Sequence, residues 1–122
     1  MIELAKTFHF DAAHTLRREI EADSSRRIHG HSYRAEVAVR GVPDPETGMI
    51  VDLGLLERRL GEARDALDHR FLDEVTDLGP PTMENLCLWI WRRLEADLPN
   101  LARVSVFRDS SGERCSYWGA AA

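Results

Sequence analysis

The sequence predicts an α+β domain: a four-stranded antiparallel sheet with two helices packed on one face, in the order strand, strand, helix, helix, strand, strand. Three observations carry this. Residues 2–10 and 32–40 alternate apolar and polar side chains with period two. Leu53, Leu56, Leu60, Ala63 and Leu67 follow one another at 3, 4, 3 and 4 positions, the spacing of a single helical stripe. Two short runs, Leu101 to Arg108 and Arg114 to Trp118, flank Asp109-Ser110-Ser111-Gly112, which reads as the turn of a hairpin.

Taken in order, Ile2, Leu4, Phe8 and Phe10 form the apolar face of the first strand, with Lys6 the one break. Residues 15–27 are polar and charged, with Glu19, Glu21 and Asp23 set against Arg17, Arg18, Arg26 and Arg27, and read as a loop or a short helical excursion. That charge cluster suits a solvated surface, though the arginines could also meet a triphosphate. The second strand sets Tyr33, Ala35, Val37 and Val39 against Arg34, Glu36, Ala38 and Arg40. Residues 41–48 hold two prolines and two glycines, a loop. Asp52 suits the N-cap of the first helix, whose outer face carries Glu57, Arg58, Glu62, Arg64 and Asp65. Gly79-Pro80-Pro81 is a firm break, after which Thr82 caps the second helix and Glu84 complements its dipole. Leu86, Trp89, Ile90 and Leu94 make that helix amphipathic, with the tryptophans as core groups. Residues 120–122 read as a tail.

The 122 residues are expected to form one domain spanning residues 1–122. A composition 43% hydrophobic and 30% charged supplies a real core, and a net charge of −5 argues against a nucleic-acid partner. No apolar run approaches the ~20 residues that cross a bilayer, so no membrane role is expected. The first six residues lack the basic and apolar regions of a leader. Cys87 and Cys115 make neither a disulfide framework nor a Cys-x-x-Cys pair, and the expected setting is the cytoplasm. A four-stranded sheet leaves two edges unpaired, and pairing between subunits would cover them.

The chemistry concentrates in Asp11-Ala12-Ala13-His14 and Arg27-Ile28-His29-Gly30-His31-Ser32-Tyr33. In an extended segment residues i and i+2 share a face, so His29 and His31 present their rings to one point. His14 arrives from the end of the preceding strand. Three imidazoles around an open fourth position are the ligand set of a catalytic zinc. Surface histidines near a turn are the alternative. Asp68-His69, where the first helix ends, reads by itself as a histidine placed against the negative end of the helix dipole.

These motifs, with Leu67-Asp68-His69 and Pro81-Thr82-Met83-Glu84-Asn85, resemble in order the 6-pyruvoyltetrahydropterin synthase and 6-carboxytetrahydropterin synthase family. The likeness covers nearly the whole sequence. It implies the tunnelling or T-fold, in which three subunits join their four-stranded sheets into a barrel and two trimers stack as a hexamer. It implies His14, His29 and His31 as zinc ligands, and Asp68 and His69 as part of a Cys-Asp-His catalytic group contributed across a subunit interface. It further implies Asp109 and Thr82 as substrate-binding positions. The activity implied is that of a pterin lyase, breaking a carbon–oxygen or carbon–carbon bond of 7,8-dihydroneopterin triphosphate or a related pterin.

Two positions depart from the family pattern. Its catalytic cysteine lies four residues before His-Gly-His, and here that position is Ser25. A thiol titrates near pH ~8.5 and is readily tuned downward. A serine hydroxyl is a poor base without an activating partner. Glu21 and Asp23 are the nearby carboxylates that could substitute. The second departure is the acid that ends the third strand and pairs with the pterin ring, usually Glu. Asp109 falls there, with Glu113 the choice if the turn is offset. Two alternatives therefore stand beside the family reaction. One is a different reaction on the same scaffold, such as retro-aldol cleavage of another pterin or purine-like ligand. The other is a catalytically silent pterin-binding protein.

Overall fold

The computed structural model describes residues 1–20 and 22–120. Glu21, one of the two carboxylates considered as a base, and the last two alanines of the expected tail lie outside the described residues. The strands are β1 (Ile2–His14), β2 (His29–Gly41), β3 (Arg70–Phe71), β4 (Leu101–Arg108) and β5 (Glu113–Tyr117). The helices are α1 (Ala22–Arg26), α2 (Leu53–Leu67) and α3 (Met83–Leu94), with a 3₁₀ turn at Leu72–Glu74. The short α1 is the helical excursion expected in the charged segment. The class is α+β, as the alternation and helical stripes predict.

The sheet order is β3-β1-β2-β4-β5. β1 and β2 pair antiparallel along their whole length, from Ile2 opposite Gly41 to His14 opposite His29. β2 pairs with β4, with a bulge between Ala38 and Val39, and β4 with β5, both antiparallel. The expectation of four antiparallel strands is corrected by β3, which adds a fifth and runs parallel to β1 beside Ala12 and Ala13. Two residues are too few to leave a period-two signal. The position of β3 is set by a tertiary bond, the His69 N–H donating to the Asp11 carbonyl at 2.7 Å.

Both longer helices cover one face of the sheet. Phe8, Phe10, Tyr33, Ala35, Val37, Val104 and Val106 point from the strands into one cluster with Leu56, Leu60 and Leu67 of α2 and Leu86, Ile90 and Leu94 of α3. The charged residues of α2 named above are on its exposed side. Asp52 Oδ1 accepts from the Gly54 N–H at 2.8 Å, and Thr82 Oγ1 from the Asn85 N–H at 3.1 Å, so each helix starts where its cap residue predicts. Trp89 is buried and its Nε1 donates to the Thr76 carbonyl at 3.0 Å. Among the described residues no helix is long and apolar enough to cross a membrane.

Leu60 is 2% exposed in the middle of the α2 stripe. Leu60→Ala is expected to lower the unfolding free energy by about 2–5 kcal/mol, the sum of lost transfer and a residual cavity, read as a lower urea midpoint with an unchanged slope.

Candidate metal centre and the hollow beside it

Alternation along β1 puts Phe8, Phe10, Ala12 and His14 on the buried face, and alternation along β2 puts His29, His31 and Tyr33 on the matching one. The strand register then sets His14 opposite His29. The three rings meet with centroids 4.6 Å (His14–His29), 4.8 Å (His14–His31) and 5.0 Å (His29–His31) apart. One ligand nitrogen from each lies within 4.8 Å of the other two, a group that could hold a metal ion.

Their hydrogen bonds fit that use. His14 Nδ1 lies 2.8 Å from the Pro81 carbonyl oxygen and His29 Nδ1 lies 2.7 Å from that of Arg27. A carbonyl only accepts, so each Nδ1 carries the proton and each Nε2 keeps its lone pair. Those two Nε2 atoms face one another at 3.0 Å. Two lone pairs at that distance repel unless a cation lies between them. Tetrahedral zinc with bonds of ~2.0–2.1 Å spaces its nitrogens roughly 3.3 Å apart, close to the separation found. Burial lowers the pKa of His14, and lowers that of His31 to about 4 with the Arg108 guanidinium adding to the effect. Both are therefore neutral at pH 7, the form in which imidazole binds a metal.

A hollow of about 380 Å³ opens beside the rings, bordered by Ser25, His29, His31, Arg108, Ser111 and Glu113 among others. Ser25 is 3% exposed there. Val104, Val106 and Arg108 share a face of β4, and Arg108 stands opposite Glu113 in the β4–β5 register. Asp109 lies elsewhere. Its carboxylate accepts from Arg34 Nε at 3.0 Å and Nη2 at 3.1 Å, an ion pair that lowers its pKa, and it does not border the hollow. The acid that does is Glu113. Sequence reasoning missed Arg108, although the Val104-Val106-Arg108 alternation carried the signal. Thr82 Oγ1 is engaged as the α3 cap, and Thr82 borders a separate hollow of about 410 Å³ with Thr15, Asp73 and Pro81. Asp23 is exposed on α1 and borders neither. Cys87 and Cys115 lie against each other between α3 and β5, with the Cys87 thiol donating to the Cys115 carbonyl at 3.3 Å and its pKa pushed up by burial. Neither borders the hollow.

Asp68 is the C-cap of α2, and His69 follows it with φ 58°, in the left-handed region that costs a non-glycine residue. Two bonds hold this turn to β1. The Asp11 N–H donates to Asp68 Oδ1 at 3.0 Å, and the His69 N–H returns to the Asp11 carbonyl. Asp68 Oδ2 lies 3.0 Å from His69 Nδ1. The Asp11 N–H, then His69, lowers the Asp68 pKa. The His69 side chain is 80% exposed, and it borders an open depression of about 510 Å³ together with Asp11, Gly30, His31 and Ser32.

The family profile described as 6-pyruvoyl tetrahydropterin synthase matches residues 3–120. The 6-carboxy-5,6,7,8-tetrahydropterin synthase of Synechocystis is 37% identical over 107 residues, covering 83% of this chain and 81% of that protein. The dihydroneopterin monophosphate aldolase of Pyrococcus furiosus is 35% identical over 101 residues, covering 80% and 82%. The structure of Caenorhabditis elegans 6-pyruvoyl tetrahydropterin synthase superposes with a TM-score of 0.83 at 26% identity, covering 98% of this chain and 96% of that one.

Two outcomes are expected from this geometry. Protein purified without chelator carries about one zinc per subunit by mass spectrometry of the metal, and His29→Ala reduces this to a trace. Asp68→Ala lowers the melting temperature at pH 7. Because the folded carboxyl titrates below its ordinary 3.8, that contribution is present above 3.8 and lost as the pH falls through the lowered value. The wild-type and Asp68→Ala melting temperatures therefore converge in acid.

Proposed function

The chain belongs to the 6-pyruvoyl tetrahydropterin synthase family, and from that premise we propose that it is a zinc-dependent, single-domain lyase acting on the side chain of 7,8-dihydroneopterin triphosphate or a related pterin. Membership makes it a pterin lyase of the tetrahydropterin synthase or dihydroneopterin aldolase type. The observation that carries the finer reading is the pair of facing Nε2 lone pairs on His14 and His29, with His31 beside them.

Bound on His14, His29 and His31, zinc would act as a Lewis acid on the side-chain oxygens of the substrate and acidify the neighbouring C–H and O–H bonds. The Pro81 and Arg27 carbonyls orient two of those imidazoles. The Glu113 carboxylate accepts from the ring N–H and the 2-amino group, the role that sequence reasoning gave to Asp109 or, for an offset turn, to Glu113. Thr82 supports the site through the α3 N-terminus, next to the Pro81 carbonyl that holds His14. His69 moves the proton, and Asp68 fixes its tautomer and steadies its charged form. With its exposed ring at the β1 edge, His69 is available to the hollow of a neighbouring subunit. The assembly is a homo-oligomer, a hexamer of two stacked trimers, in which the sheet edges at β3 and β5 pair between subunits. Its setting is the reducing cytoplasm, in keeping with two free thiols.

A second reading has a specific observation in its favour. Ser25 borders the hollow where the family pattern has a thiol, and a relative 35% identical to this protein is a dihydroneopterin monophosphate aldolase. Retro-aldol cleavage removes a hydroxyl proton and breaks the adjacent carbon–carbon bond of the pterin substituent. It asks for an activated imidazole rather than a thiolate.

The test is a paired assay of zinc-loaded wild type and Ser25→Cys on 7,8-dihydroneopterin triphosphate, following triphosphate release and the pterin product. Comparable turnover by both supports the family reaction without a thiol. Gain of triphosphate release only in Ser25→Cys means that the scaffold takes this substrate and its natural reaction differs, and turnover of dihydroneopterin monophosphate then tests the aldol class directly. No pterin product from either variant on either substrate overturns both readings. On whichever substrate reacts, His69→Ala is expected to lower kcat by about 10²–10⁴ with little change in KM.

A further inference from the structure

Arg108 is a cation whose position follows from the strand register, which borders the hollow beside the histidines, and whose use the lyase reading leaves open. Its side chain is 18% exposed at the end of β4. One guanidinium nitrogen, Nη2, pairs closely with Glu113 Oε1, and that carboxylate oxygen also accepts from Ser111 Oγ at 2.9 Å. Nη1 lies 3.4 Å from His31 Nε2. Nε is buried without an acceptor, as is the hydroxyl of Tyr33, whose ring lies 5.7 Å from that of His31. Glu113 is thus already held from two sides, while the guanidinium has donors to spare.

We infer that Arg108 is the anion-recognising residue of this site, holding a phosphoryl or carboxylate group carried by the ligand that sits at the three histidines. Three arguments support it, and the identity of the rest of the ligand rests on the pterin-lyase reading. A metal ion drawing on His31 Nε2 would claim the lone pair that Nη1 now faces, leaving Nη1 and Nε both in need of an acceptor. A divalent ion on the histidines would border one small hollow together with the Arg108 guanidinium, and Glu113, the carboxylate that borders it, would leave an excess of positive charge that a neutral ring does not offset. A guanidinium also binds planar or tetrahedral oxyanions through paired donors, which an ammonium does not. Uncharged pterins would therefore be weak ligands, and an anionic substituent close to the metal would select the substrate.

Calorimetric titration of the zinc-loaded protein with dihydroneopterin and with its monophosphate tests this, using wild type, Arg108→Gln and Arg108→Lys, each checked for folding by its thermal melt. Wild type is expected to bind the monophosphate at least about tenfold more tightly, the scale of one charge-assisted hydrogen bond. Arg108→Gln brings the two affinities within about twofold by weakening only the monophosphate, and Arg108→Lys lies between. Equal affinities in wild type, or a tenfold preference that survives in Arg108→Gln, overturn the inference. If neither pterin binds, the lyase reading falls, and inorganic phosphate and acetate decide the anion site independently. Binding of either to wild type, lost in Arg108→Gln and kept in Arg108→Lys, supports it and tells a tetrahedral from a planar anion. No binding to wild type, or equal binding to wild type and Arg108→Gln, overturns it.

Discussion

Thirteen residues of β1 pair with thirteen of β2, and the register ends with His14 opposite His29. Side-chain direction in a strand has period two, so a slip of one residue would turn every side chain of β1 to the other face. That slip would expose Phe8 and Phe10 and carry His14 away from His29 and His31. The apolar face therefore enforces the register, and the register assembles the three imidazoles. Core burial and the candidate metal centre are two results of the same pairing, and a change of register would disrupt both.

What surrounds the rings is set by segments that meet only in the folded state. The Pro81 carbonyl precedes the α3 cap, and the Arg27 carbonyl follows α1, yet both orient imidazoles so that lone pairs face inward. β4 and β5 then bring Arg108 and Glu113 to the same hollow from the far side of β2. Within this polar site, the Tyr33 hydroxyl and Arg108 Nε are buried without a hydrogen-bond partner. Burial of Tyr33 raises its pKa to about 12, so it enters the site as a neutral hydroxyl.

The end of α2 is held together in a different way. Asp68 closes the helix, receives the Asp11 N–H, and orients His69, while His69 takes a left-handed backbone conformation at its own conformational cost. The backbone bonds to Asp11 offset that cost and place β3 alongside β1. This turn therefore couples the sheet edge to the only aspartate–histidine pair with contacting side chains among the described residues. The polar face of the sheet, where Arg103 bridges Glu3 and Glu36, lies away from both helices.

Period-two alternation, the 3-4-3-4 stripe of α2, and the Asp52 and Thr82 caps made the α+β class, both helices and four strands legible in the sequence, because each signal is local to its element. The histidine trio was legible for the same reason, since i and i+2 in a strand share a face and His14 ends the strand before. β3 was not legible, being two residues held by a backbone bond to Asp11. The alternation of Val104, Val106 and Arg108 did carry the side of β4 that Arg108 takes, and Glu113 stood beside Asp109 as the choice for an offset turn; that Glu113 and not Asp109 borders the hollow was decided by the fold. The carboxylate of Asp109 and the guanidinium of Arg108 are neighbours in sequence, yet one reaches Arg34 and the other His31. What the alternation could not show is that β4 lies beside β2 and brings this end to the three imidazoles, a pairing between residues more than sixty positions apart.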